Sequence, residues 1–578
     1  MIFFKKKVIS YKGYNVPLNE AYRISLSNRL LTFALMIVSG LALSSAFPPL
    51  NWELLAFVSV APLIVQAIKN PVSWRLFFYG YVWSMSWSFC AFFWLREINP
   101  AIPFGISGII GLWGGVYALW VSFVWRWSLR GRDFMLQGAK AREVDNLNAW
   151  QSIVFVISCG ALFVMLEYIR IQMFPWNFIG VTQYKMLELI QIVKWTGIYG
   201  VSFLVVGMNA ALALVIWYLL EKFRSKEVKF RGAAAAAGFM LILIVLSVIY
   251  GFFARSNAEK SYQAGRKVRF GIVQGDISQR RVSTAEMAKE ALDTYMKMSY
   301  ELAPQQPDII IWPETAVPYP YFGGHIVSAY FRRDVYVFAV KTKIPLLLGT
   351  LDFVNVSGDD YDMTNSAFLI SKDGRVAARY AKINRVPYGE FVPFREFLSD
   401  ELAEKFGMGR DLRAGDDPTP LEVLPGVRAG MAICYESIFA SLARNEANLG
   451  ANILIAINND AWYPESSEPE QHAANAVFRA IETGLPALRS GNNGASVLIL
   501  PSGRIGWMIG KRDLLARERV SGVAEVLVQD RPEKTFYTRF GDVFLFVLFG
   551  YGVAVLLTGI CCYFAVLRHL EHDEIEQI

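Results

Sequence analysis

A thiol, a carboxylate and an amine each stand just past a short apolar run in this chain. Cys434 follows Val427–Ile433, Glu314 follows Asp308–Trp312 through Pro313, and Lys382 follows Val376–Tyr380. A thiol becomes a strong nucleophile once a base takes its proton. A carboxylate shielded from water is driven toward the pKa range of a useful general base. A lysine beside a thiolate favours its ionisation and can stabilise an oxyanion. The three together suit thioester chemistry. Cys434 also precedes a predicted helix, Ser437–Arg444, whose positive end would lower the thiol pKa. The backbone N–H of Tyr435 would then point at a developing oxyanion.

Each residue alone has a plainer reading. Cys434 could be a packing cysteine, Glu314 a capping or surface carboxylate, and Lys382 a solvated amine. Glu390, in the Pro/Gly loop Val386–Pro393, reads as a holder of Lys382 or as a turn residue. Trp312 is expected to shield Glu314, and His472 to orient a loop or a helix start.

The elements that must position these groups are short strands alternating with amphipathic helices between roughly Arg255 and Gly541. Val268–Val273, Asp308–Trp312, Pro345–Gly349, Val427–Ile433, Asn452–Ile457 and Ala495–Leu500 read as strands. Ala367–Ser371 and Val376–Tyr380 flank the turn Asp373-Gly374 and read as a hairpin. Ser283 to Glu286 has capping-box spacing before a helix reaching about Leu302, and a further helix is expected over Gln471–Thr483. This order predicts a layered α/β sandwich with sites just past the strand ends.

The rest of the chain is a different material. Of 578 residues, 54% are hydrophobic and 14% aromatic, too apolar for an ordinary soluble protein. Eight runs approach the ~20 residues needed to span a bilayer: Leu30–Ala46, Trp52–Ile68, Leu76–Leu95, Ile102–Trp125, Ile153–Ile171, Ile198–Leu220, Ala233–Phe253 and Val543–Leu567. The expected division is a cytoplasmic segment 1–28, seven spans over 29–254, a catalytic domain over 262–532, an eighth span at 543–567 and a cytoplasmic tail 568–578. Lys and Arg gather in alternate loops, around Lys69/Arg75, Arg126–Arg142 and Lys222–Arg231, which marks those loops as cytoplasmic. The catalytic domain is then expected on the outer face. The net charge of +7 belongs to this topology, and no nucleic-acid partner is expected. Five scattered cysteines exclude a disulfide framework, and no metal-ligand spacing is present, so neither metal nor cofactor is expected. The short loop Phe174-Pro175-Trp176-Asn177 reads as an interfacial anchor or as a floor for a lipid substrate.

The order Trp312-Pro-Glu314, Lys382, Cys434-Tyr435-Glu436 resembles the Glu-Lys-Cys triad of the nitrilase superfamily. More narrowly, Ile272-Val-Gln-Gly275, Trp312–Val317, Val386–Pro393, Ala432–Glu436, Asn459–Trp462, Arg479–Glu482 and Arg489–Gly494 resemble the apolipoprotein N-acyltransferase family. The resemblance implies a polytopic membrane domain of eight helices carrying an extramembrane αββα sandwich in the periplasm of a bacterial inner membrane. It implies Glu314 as general base, Lys382 as stabiliser of thiolate and oxyanion, and Cys434 as nucleophile. Glu390, Tyr435 and Glu436 would support them, with Trp462, His472 and Asn493 in substrate or loop roles alongside Trp312. It further implies ping-pong transfer of an acyl chain from a phospholipid, sn-1 of phosphatidylethanolamine, to the α-amine of a diacylated lipoprotein. A membrane-tethered amidase or a degenerate lipoprotein-binding relative would use the same residues differently. Three segments depart from the family pattern: Asp276–Val282 has no aromatic residue, Trp462-Tyr463-Pro464 stands where Trp-Phe-Gly is usual, and Glu465–Glu470 is strongly acidic. These departures concern the loops more than the triad.

Overall fold

The computed structural model describes residues 8–11, 14–128, 147–224, 230–278, 284–357, 360–393, 395–397, 411–463, 466–494, 496–510 and 518–575. Ser283, the Arg280-Arg281 pair, Pro464 and all the basic residues of 130–142 lie outside them. The chain forms two compact units. One comprises Met1–Ile169, Phe203–Ile242 and Leu548–Ile578; the other comprises Arg170–Ser202 and Leu243–Val547.

Among the described residues, six helices are long and apolar enough to cross a membrane: Ser27–Ala46, Ile102–Arg126, Ala149–Arg170, Ile198–Phe223, Arg231–Gln263 and Val543–Cys561. Two of the eight expected runs differ. The run Trp52–Ile68 is not one helix. A 3-10 turn, Glu53–Phe57, precedes a helix of nine residues, Ala61–Lys69. Nine residues rise about 14 Å, roughly half the hydrocarbon thickness. Asn209 fixes the break. Its side-chain oxygen accepts from the Val60 and Ala61 N–H groups at 2.8 and 3.0 Å, and its nitrogen donates to the Ala56 carbonyl at 2.7 Å. Pro62, in the first turn, has no N–H to continue a helix backward. The run Leu76–Leu95 does hold a continuous helix, Trp74–Ala91, but Arg75, Tyr79, Tyr81, Ser84, Ser86 and Ser88 lower its apolarity. It crosses the helix Ile102–Phe123 where Gly80 meets Gly114. A methyl on Gly80 would stand 2.2 Å from the Gly114 carbonyl oxygen. Small residues at such a crossing let two membrane helices approach closely.

The second unit is built on two six-stranded sheets. Numbering strands along the chain, β1 (Val8–Tyr11) and β2 (Tyr14–Pro17) form a separate hairpin. The first large sheet has the order β14 (Val520–Val528), β3 (Arg266–Gln274), β4 (Ile309–Ile311), β5 (Leu346–Ser357), β6 (Asp360–Ile370), β7 (Val376–Ala381). The second has the order β13 (Ile505–Met508), β12 (Val497–Ile499), β11 (Ala487–Gly491), β10 (Ile453–Asn458), β9 (Val427–Ile433), β8 (Leu421–Leu424). Both mix parallel pairs, β3–β4–β5 and β9–β10–β11, with antiparallel ones.

Alternate residues of the two sheets meet in one core, where Phe270, Ile309, Ile311 and Leu347 join Met431, Ile433, Ile455 and Ile457. The other face of the first sheet packs on the helices Ala285–Leu302 and Ile326–Thr342 through Leu292, Tyr295, Phe331 and Phe338. The helices Ala440–Asn448 and Glu468–Thr483 pack against the second sheet. The architecture is the expected αββα sandwich. The first of these helices starts one residue later than the capping-box spacing suggests: Thr284 is the N-cap, and its hydroxyl accepts from Met287 N–H at 3.3 Å.

Candidate active site

Glu314, Lys382 and Cys434 come from three strand ends and meet at one edge of the inter-sheet core. Cys434 follows β9 directly, Lys382 follows β7 directly, and Glu314 stands three residues past β4. Gly349 on β5 makes room for the Glu314 turn. A methyl there would lie 2.6 Å from the Glu314 Cα and 2.5 Å from the Pro313 carbonyl oxygen. Lys382 is 1% exposed and Glu314 is 7% exposed.

The charges are closely compensated. Lys382 Nζ lies 2.9 Å from Glu390 Oε1 and 3.6 Å from Glu314 Oε1. Asn365, on β6, donates to both carboxylates, at 2.7 Å to Glu314 and 2.8 Å to Glu390. The second oxygen of Glu390 accepts from the Val386 N–H of its own loop at 2.8 Å. Glu390 therefore anchors the lysine and the loop together, so both halves of the sequence reading apply. The Cys434 thiol is near enough to Glu314 to favour the ionised form of that carboxylate.

Burial raises the Glu314 pKa above the usual carboxylate range; Lys382 pulls it back and the charge of Glu390 pushes it up again. Burial alone would depress Lys382, but Glu390 and Glu314 outweigh it and hold the ammonium well above its ordinary value. The Cys434 thiol is pushed up, first by burial and then by the Glu314 charge, with Lys382 opposing. This reverses the sequence expectation of a lowered thiol pKa. Desolvation is the main reason, and no helix dipole offsets it. Cys434 opens a five-residue 3-10 turn, Cys434–Ile438, and the α-helix begins only at Ala440, so the helix dipole is displaced from the sulfur. Burial and the neighbouring carboxylate charge both favour the protonated thiol. Cys434 also has φ of +54°, a left-handed conformation that non-glycine residues rarely adopt and that recurs where function requires it.

Glu436 ties the pieces together. One oxygen accepts from the Ile383 and Asn384 N–H groups at 2.7 and 2.9 Å, and the other accepts from Ile433 N–H at 2.9 Å. The Tyr380 hydroxyl donates to both oxygens. Burial pushes the Glu436 pKa up to about 7 against these donors. Glu436→Ala is expected to leave three N–H groups, one buried and two part-buried, without this acceptor, at roughly 1–3 kcal/mol each where water cannot replace it. Thermal melting should show a large loss of stability, together with loss of whatever activity Cys434 and Lys382 carry.

Tyr435 is buried under Trp176, their rings 6.2 Å apart and nearly parallel at 9°. Trp176 is itself buried, and its indole N–H donates to Gln471 Oε1 at 3.1 Å. Arg170 holds the segment by donating to the carbonyls of Phe174, Trp176 and Asn177. The loop therefore packs its Trp176 ring against the residue that follows Cys434.

Other expected site residues fall elsewhere. Trp312 faces away from Glu314, into the layer between the first sheet and its helices. Its N–H donates to Ser299 at 2.9 Å and its ring stacks on Phe331. Alternation sets Trp312 opposite Ile311, and the chain turns after β4, so Glu314 does not share the Trp312 face. Trp462 is 43% exposed, in the 3-10 turn Asp460–Trp462. Asn493 is buried in the turn after β11, but Asn492 makes the long-range ties there, to Ile277, Tyr295 and Asn459. His472 is wholly buried beside Cys434. Sequence reasoning missed Asn365. Its only signal was its place in the polar run Thr364-Asn365-Ser366, just before the apolar stretch Ala367–Ile370.

Residues 269–512 match the family model described as carbon-nitrogen hydrolase, and residues 39–211 match the apolipoprotein N-acyltransferase N-terminal domain. A protein of Bradyrhizobium diazoefficiens named apolipoprotein N-acyltransferase is 30% identical over 428 residues, 70% of this chain and 72% of its own length. This chain belongs to the apolipoprotein N-acyltransferase family. A Geobacter metallireducens protein of the same name is 29% identical over 520 residues, covering 89% of this chain and 92% of its own. A solved amidase from Nesterenkonia superposes with a TM-score of 0.32 at 17% identity, over 48% of this chain and 94% of its own. Membership of this family joins the two kinds of unit in one chain: apolar helices and a carbon-nitrogen hydrolase sandwich.

Proposed function

We propose that this protein is an N-acyltransferase that moves an acyl chain from a membrane phospholipid to the N-terminal α-amine of diacylglyceryl-cysteine on an apolipoprotein. The observation that carries the reading is the Glu314–Lys382–Cys434 cluster on a chain with six apolar, span-length helices among its described residues. Glu314 takes the thiol proton as Cys434 Sγ attacks the sn-1 ester of the donor, for which we favour phosphatidylethanolamine. Lys382, held above its ordinary pKa, stays charged and faces the developing oxyanion. The tetrahedral intermediate expels the lysophospholipid alkoxide, which recovers a proton from Glu314 and leaves a thioester on Cys434. The acceptor amine then attacks the thioester carbonyl and passes a proton to Glu314. The C–S bond breaks, an amide forms, and Glu314 returns the proton to the thiolate. This is a ping-pong scheme.

A sandwich on the periplasmic side of the inner membrane completes the proposal. The helix Arg231–Gln263 supports the side. The basic stretch Lys222–Arg231 lies at its start and the sandwich follows its end, so one crossing from the cytoplasm puts the sandwich outside.

The test is the intact mass of the detergent-purified protein after incubation with phosphatidylethanolamine alone, beside Cys434→Ala. The expected result is one added acyl mass on the wild type only, removed by hydroxylamine and by a diacylated lipopeptide. Steady release of free fatty acid, with no transfer to the lipopeptide, would overturn transfer in favour of hydrolysis.

A further inference from the structure

The buried histidine beside the nucleophile has no role in the scheme above. His472 lies on the helix Glu468–Thr483, and its Nε2 lies 3.0 Å from the backbone carbonyl oxygen of Cys434. A carbonyl oxygen offers no proton, so this contact requires a hydrogen on Nε2. The same nitrogen lies 2.7 Å from Ser437 Oγ and 3.3 Å from Asn458 Nδ2. Nδ1, on the far side of the ring, lies 3.3 Å from Asp460 Oδ1 and 3.2 Å from Glu468 Oε1. Asp460 is in turn ion-paired with Arg489 on β11. Trp176 packs on the ring, with centroids 5.1 Å apart. The imidazole is therefore held from five sides, and its one bond toward the reaction centre goes to the residue that bears the nucleophile. That residue is in the left-handed region at φ +54°. A conformation that a side chain disfavours persists only where surrounding contacts over-determine it.

We propose that His472 is a positioning residue for the nucleophile: its Nε2–H grips the Cys434 carbonyl and keeps that residue in the left-handed turn that presents Sγ to Glu314. Asp460 and Glu468 orient the ring from behind. This rests on Cys434 as the reacting thiol, though not on the identity of the acyl donor or acceptor.

Two amide substitutions separate this role from simple packing. In His472→Gln the side-chain amide nitrogen reaches the place of Nε2. In His472→Asn it reaches only the place of Nδ1, so contact with the carboxylates survives and the grip on Cys434 is lost. The readout is alkylation of Cys434 by iodoacetamide, followed by mass against pH. It needs no acyl substrate, so it stands even if the acyltransferase reading fails. Misplacing a reacting atom by about 1 Å can cost about 100-fold in rate. His472→Asn is expected to slow alkylation by at least about tenfold on that basis and to shift its pH profile, with His472→Gln recovering most of the rate. Equal rates in the two variants would overturn the proposal. A measurement on the unsubstituted protein covers the case in which His472→Asn does not fold. With four histidines in the chain, 15N-histidine labelling should show one imidazole whose Nε2 stays protonated, and slow to exchange, at pH 8. Absence of such a resonance would also overturn the proposal.

Discussion

Lys382→Met is expected to abolish acyl transfer and to destabilise the catalytic unit. The change removes the only buried cation within 4 Å of Glu314 and Glu390 among the described residues. Breaking one side of a buried ion pair costs about 3–5 kcal/mol, because an uncompensated charge remains. Loss of the oxyanion stabiliser adds about 100- to 1,000-fold in rate. The destabilisation should depend on pH in a definite direction. Glu314 already has a folded-state pKa above its ordinary value, so it holds more protons folded than unfolded. Its contribution to stability is full below the ordinary carboxylate pKa and falls as pH rises through the raised value. Without Lys382 the raised value climbs further. The melting temperature of the variant should therefore approach that of the wild type as pH falls from 8 toward 5. A deficit that does not change with pH would mean that the two carboxylates are not what the lysine compensates.

Glu314→Gln is expected to remove the acid limb of the pH–rate profile together with most of the rate. A base works only when deprotonated, and the Glu314 pKa is raised, so the wild-type rate should begin to fall on the acid side above the usual carboxylate range. The amide is nearly isosteric and can still accept from Asn365, so the fold should survive. It cannot take the thiol proton, and general-base removal is worth about 100- to 10,000-fold. The thiol pKa is itself raised, which leaves few thiolates to react without the base. The measurement is single-turnover lysophospholipid release from pH 5 to 9. An unchanged acid limb in the variant would assign that limb to another group, and Glu468, pushed up to about 7 by burial and the Asp460 charge, would be the next candidate.

Both expectations depend on groups that the linear chain shows unequally. The three strand ends were legible because β4, β7 and β9 are short apolar runs, and strand patterning is local. A chemically distinctive residue just past each run was enough to place Glu314, Lys382 and Cys434 at the same end of a sandwich. The order of the motifs identified the family, and the long apolar runs identified a membrane protein.

What remained hidden is what depends on partners far away in sequence. The break in Trp52–Ile68 is set by Asn209, about 150 residues on, so hydropathy alone read it as one span. Asn365 looked like an ordinary strand residue until β6 brought it between two carboxylates. Trp312 looked like a shield because it is two residues from Glu314, but the chain turns between them after β4, and Trp312 packs with the helices. The direction of the Cys434 pKa shift was misread because a local dipole can be guessed from sequence, whereas desolvation is a sum over every element that closes around the sulfur. Residue order alone says which groups are available and that each ends a strand. Packing sets their charges and alignment, because burial and long-range hydrogen bonds are properties of the folded whole.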